Sequence, residues 1–157
     1  MTGKYIPHIL QTIKSNVLSI LGQKDKNQSM KTMFFSIKAN ALFVMPLVAL
    51  AGIASPYIMS LYGAGFRDGW PTLVVVLLTA GLLAVQTPVG QIIAASGKMW
   101  LGFVMNMGWA LVFIVSTLLL VDKGSLGLAT ARACSYVIHA TWTFGFAIWL
   151  IRKGTNN

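Results

Sequence analysis

"PTLVVVLLTAGLLAVQTPVGQIIAASGKMW" covers residues 71–100, and its reading decides the fold. Between Asp68 and Lys98 no residue carries a formal charge. A helix rising ~1.5 Å per residue needs only ~20 residues to cross a hydrocarbon core ~30 Å thick, so this run is long enough to span a bilayer. The same pattern repeats on both sides of it. Residues 39–66, between Lys38 and Arg67, are uncharged, as are 99–121 before Asp122, and 124–151 are broken only by Arg132. With 56% hydrophobic and 10% charged residues and a mean hydropathy of +0.73, the chain is too apolar for a soluble domain. The spacing predicts an all-α integral membrane protein, a single membrane domain over 1–157. Its four transmembrane helices fall at about 40–61, 72–94, 101–121 and 127–151.

The segments between the spans fit that order. Ile6, Ile9, Leu10, Ile13, Val17, Ile20 and Leu21 recur at spacings of three and four, which predicts an amphipathic helix within 1–22. It either lies at the membrane interface or is the cut end of a preceding span. Residues 23–38, including most of "GQKDKNQSMK" (22–31), read as a basic cytoplasmic loop. "YGAGFRDGWP" (62–71) and "DKGSLG" (122–127) read as outer turns, and "ASGKMW" (95–100) as an inner one. Lys4, His8, Gln11 and Lys14 interrupt the apolar run that a signal peptide would need.

The charge is distributed with direction. The net charge is +9, there is no glutamate, and the only acids are Asp25, Asp68 and Asp122. Lys4, Lys14, Lys24, Lys26, Lys31, Lys38, Lys98, Arg152 and Lys153 fall on one side of the predicted spans. Arg67 and Lys123 fall on the other, each beside an acid. Positive residues collect on the cytoplasmic side of membrane proteins, so both termini are expected in the cytoplasm. Charges spread over alternate loops do not form the continuous basic face that DNA or RNA binding requires, so no nucleic-acid partner is expected.

Catalytic chemistry finds no footing. There is no paired carboxylate, HExxH, phosphate-binding glycine loop, or nucleophile with a base and an orienting group. No metal site and no cofactor are expected. Cys134 stands alone in a span and reads as a small packed apolar residue. No acid lies inside any span, so the carboxylate through which proton-driven carriers usually couple is missing.

Polar residues inside the spans are therefore the candidates for function. Pro46, Pro56 and Pro88 remove backbone donors and are expected to bend their helices. Thr72, Thr79, Gln86 and Thr87 share one face of the second span, continued by Gly90 and Gln91. Gln86 has two readings: an interhelical hydrogen bond holding the bundle, or part of a polar stripe lining a hydrated cavity. Asn106 in the third span has the same two readings, with the interhelical bond favoured because no second polar residue shares its face. In the fourth span, "LATARACSYVIHATWTF" (128–144), Arg132, Tyr136, His139 and Thr143 follow spacings of four, three and four on one face. Arg132 lies ~7 Å past Gly127 and could either reach the outer headgroups or face the cavity. His139 lies near mid-span, where it must hydrogen-bond a neighbouring helix or meet water.

Three short stretches carry a family resemblance. "SPYIMSLYGAGF" (55–66) resembles the turn that closes a span in bacterial polysaccharide flippases. "IIAASGKMW" (92–100) resembles their next inner turn, and "GSLGLATA" (124–131) the small-residue start of a later span. In order and spacing, over roughly 15–153, they resemble the polysaccharide biosynthesis C-terminal domain of the multidrug/oligosaccharidyl-lipid/polysaccharide exporter superfamily. The resemblance implies a multi-pass protein of the bacterial inner membrane, part of the second bundle of a two-bundle flippase. Its substrate would be an undecaprenyl-diphosphate-linked oligosaccharide for O-antigen or other surface polysaccharide. With four spans instead of twelve or more, this chain would be a fragment, and the missing bundle of the full-length protein would be its partner, alongside the lipid bilayer. In that setting the local chemistry makes Arg132 the phosphate or acidic-sugar contact and His139, Tyr136 and Gln86 sugar-facing donors and acceptors, with Thr143 a further cavity-lining candidate. A multidrug extruder is the alternative within the superfamily. A non-transporting membrane module partnering a polymerase or glycosyltransferase is the alternative outside it.

Overall fold

The structure, a computed structural model, describes residues 26–153, with side chains described from Ser29 onward. The amphipathic helix expected within 1–22 lies outside the described residues. Among those described, the chain is all helical, without a strand. Helix α1 covers Lys26–Ile53, α2 Ser55–Leu61, α3 Trp70–Ala95, α4 Met99–Leu120 and α5 Gly124–Lys153. Short 3-10 turns, Ala64–Gly69 and Val121–Lys123, precede α3 and α5.

Three helical stretches are long and apolar enough to cross a membrane: Ser29–Ile53, Ala64–Ala95 and Met99–Lys153. The last, 55 residues long, is divided at Val121–Lys123 into α4 and α5. Gly124 has φ +60° there, a backbone conformation that a side chain would strain. Three residues on, a Cβ at Gly127 would collide with the Leu120 carbonyl oxygen, so only glycine lets α5 start this close to the end of α4.

The first predicted span is corrected at both ends. The expected loop over 23–38 is helical from Lys26 onward. Lys, Gln and Met are good helix formers, and the segment from Lys26 to Lys38 holds neither Gly nor Pro to stop them. At the far end the expected helix 40–61 breaks at Ala54, between α1 and α2. Pro56 has no N–H to offer the Gly52 carbonyl four residues back. The Ser55 hydroxyl takes its place, donating to Gly52 O at 2.7 Å.

Long-range contacts fix the topology. Asn40 reaches Ala84, and Gly81 faces Met45 and Val48, so α1 and α3 run antiparallel. Thr72 meets Ser125 and Gln86 meets His139, so α3 and α5 run parallel. Trp109 packs on Tyr136 and Gly108 lies under Trp142, so α4 and α5 are antiparallel. Helix α5 touches all three of the other long helices. Its buried Ala129, Ala131, Ser135 and Ala147 explain how, because small side chains let helix backbones approach closely. The core gathers Met33, Val89, Ile93, Ala147 and Ile151.

The outer surfaces are largely apolar. Phe35, Leu42, Phe43, Leu50 and Ile53 on α1, and Leu111, Ile114, Leu118 and Leu119 on α4, are exposed. Aromatic side chains mark the two ends: Tyr57, Tyr62 and Trp70 at one, Trp100 and Trp149 at the other. The Lys153 ammonium lies 4.9 Å from the Trp149 ring centre. An apolar waist between aromatic girdles is the surface pattern of a protein in a bilayer.

Candidate functional site

The site grows from how hydroxyls behave in an apolar bundle. Thr79, Thr87, Ser135 and Thr141 each donate to the carbonyl four residues back on their own helix, to Val75, Leu83, Ala131 and Val137. Satisfied locally, they need no partner across the bundle. The polar face predicted for the second span thus separates into independent groups. Thr72 bonds Ser125 near one end, Thr79 is buried and self-satisfied, and Thr87 is exposed.

Gln86 behaves differently, because no local carbonyl satisfies its amide. Its Nε2 donates to Thr143 Oγ1 at 2.9 Å and lies 3.0 Å from His139 Nδ1. The Thr143 hydroxyl itself donates to the His139 carbonyl at 2.7 Å, leaving its oxygen free to accept from Gln86. The second amide hydrogen then goes to His139 Nδ1, which places the imidazole hydrogen on Nε2. Gln86 therefore ties α3 to α5, as its interhelical reading expected, and brings Gln86, His139 and Thr143 into one cluster.

The cluster is not closed. Gln86 Oε1 and His139 Nε2 are buried without a hydrogen-bond partner among the described residues, as are the indole nitrogens of Trp109 and Trp142. The Trp142 ring meets the His139 ring edge-on at 5.7 Å. One unused acceptor and one unused donor on neighbouring side chains match what a hydroxyl group or a water molecule can supply.

Arg132 and Tyr136 continue the same helix face toward the Trp70 end. The guanidinium carbon lies 5.8 Å from the Tyr136 ring centre, and that ring packs on Trp109 at 4.9 Å. Arg132 is exposed, whereas Thr143 is buried. The stripe thus runs from an exposed cation to a buried hydroxyl, and Arg132 does not join the Gln86 cluster.

The interhelical reading of Asn106 and the packed reading of Cys134 do not hold. Asn106 is exposed and makes no hydrogen bond to another described residue, since α4 packs at the edge of the bundle and turns that face outward. Cys134 is exposed on α5, one position before the buried Ser135 that faces the neighbouring helices. A cleft of about 570 Å³ at the Trp70 end, lined by Met59, Phe66, Asp68, Thr72, Val76 and Ser125, has no counterpart in the sequence reading. Its walls come from four separate segments, and only the parallel pairing of α3 and α5 assembles them. No group of His, Cys, Asp and Glu suited to a metal occurs among the described residues.

Compared with known protein families, characterised proteins and solved structures, the chain finds no match.

Proposed function

We propose that this chain is part of a flippase that carries a lipid-linked oligosaccharide across the bacterial inner membrane. In this reading Met99–Lys153 crosses twice, giving four transmembrane helices with both ends in the cytoplasm, as the charge distribution favours. The observation that carries the transport reading is the open Gln86–His139–Thr143 cluster within an apolar bundle. Buried polar atoms are normally satisfied, and an unused acceptor beside an unused donor suits a ligand rich in hydroxyls. Arg132 adds a planar cation on the same face for a diphosphate or an acidic sugar. The three stretches that resemble polysaccharide flippases support the same assignment. The missing bundle would complete the cavity, with the two bundles rocking about the site. Drug extrusion is the weaker reading, because no carboxylate stands inside the spans to couple it.

The test uses the full reading frame containing this segment, expressed in a strain that lacks its flippase. Arg132→Ala and His139→Ala should each reduce surface polysaccharide while protein abundance stays near normal. Normal polysaccharide from both variants, at normal abundance, would overturn the assignment.

A further inference from the structure

Lys38 occupies the middle of a helix that can cross the membrane. It lies ~18 Å from Lys26 and ~22 Å from Ile53 along α1. Asn40, two positions on, bonds Ala84, and α1 runs antiparallel to α3, so Lys38 is level with Gln86 in the middle of the bundle. It is exposed, and it makes no hydrogen bond or ion pair to another described residue. Asn40 turns toward α3, whereas Lys38 shares the outward face with Phe35 and Leu42, exposed by 73% and 71%.

A cation on that face needs compensation, because a bare ammonium in hydrocarbon is strongly disfavoured. Its flexible four-carbon stem does not cover the ~10 Å back to exposed Lys31, the next charged residue toward that end of α1. A second copy of the chain cannot neutralise it either. The only acids are Asp25, Asp68 and Asp122; Asp25 precedes α1, and Asp68 and Asp122 sit in the short 3-10 turns before α3 and α5, away from mid-helix, and a symmetric contact would set Lys38 against Lys38.

The geometry points to the outward face of α1 as a docking surface for a transmembrane helix of another polypeptide, carrying an Asp or Glu near its midpoint. The large apolar side chains around Lys38 supply packing, and the single central cation selects the partner by charge and fixes its depth. This rests on α1 crossing the membrane and not on the transport reading.

The test places the labelled full chain in phosphatidylcholine bilayers with a synthetic leucine-alanine transmembrane helix bearing one central Asp. Energy transfer should report association roughly tenfold tighter than with the all-apolar helix. Lys38→Met should remove that difference, and Lys38→Asp paired with a helix bearing a central Lys should restore it. Equal association of the Asp and apolar helices, or Asp-dependent association that survives Lys38→Met, would overturn the proposal. So would rapid reaction of Lys38→Cys, in a Cys134→Ser background, with a water-soluble thiol reagent in bilayers, which would mean that the face lines water.

Discussion

Asn40 donates a 2.9 Å hydrogen bond to the carbonyl oxygen of Ala84, which the missing N–H of Pro88 leaves without its helical partner. Ser55 does the same for Gly52 across Pro56. At both places a proline lacks the donor that would bond a carbonyl four residues back, within α3 at Pro88 and at the start of α2 at Pro56, and a nearby polar side chain supplies one. No water can replace the lost bond in hydrocarbon, so the repair must come from protein.

The Asn40 repair predicts a coupling between two helices. Asn40→Ala should lower stability by about 1 kcal/mol, because it orphans a carbonyl in the bundle. In a Pro88→Ala background the residue 88 N–H satisfies that carbonyl, and Asn40→Ala should cost close to nothing. Unfolding of the four proteins in mixed micelles would measure the cycle; equal costs in both backgrounds would mean that Asn40 acts in another way.

Glycine at 127 should tolerate no side chain. Gly127→Ala puts a methyl group against the Leu120 carbonyl and should cost about 1–3 kcal/mol or more, with the α4–α5 turn forced open. Gly145→Ala on the same helix meets nothing within 4 Å and should be neutral or stabilising. Equal thermal stability of the two variants in detergent would contradict the close approach.

Threonines 141 and 143 should part company. Thr143→Val removes the acceptor that Gln86 uses and should destabilise by about 0.6 kcal/mol or more. Thr141→Val removes only a bond to its own helix, on an exposed face, and should leave stability nearly unchanged. A Gln86→Leu background should erase the excess cost of Thr143→Val, and persistence of that cost would rule out the Gln86 bond as its source.

What the sequence made legible follows from period and length. Long uncharged runs mark apolar helices whatever their neighbours, and spacings of four, three and four place Arg132, Tyr136, His139 and Thr143 on one face without any knowledge of packing. The start of α1 departs from its expectation because polar residues read as a loop, whereas the local backbone preference from Lys26 to Lys38 is helical. Pairing of Gln86 with His139, of Thr72 with Ser125, and of Asn40 with Ala84 joins residues 53, 53 and 44 positions apart. Helical periodicity cannot reveal such contacts, since it records which face a residue occupies and not what stands opposite. The cleft beside Asp68 is hidden for the same reason.

Transport through the bundle and docking on α1 both require the helices to cross the membrane. Single cysteines at Asp68→Cys, Asp122→Cys and Lys98→Cys, in a Cys134→Ser background, report it directly through a membrane-impermeant thiol reagent applied to intact spheroplasts. Positions 68 and 122 should be labelled and position 98 protected until the membrane is opened, since Ala64–Ala95 and α4 would each separate them by one crossing. Labelling of position 98 with protection of 68 and 122 would reverse the orientation, and equal labelling of all three in intact cells would contradict the membrane-spanning bundle itself.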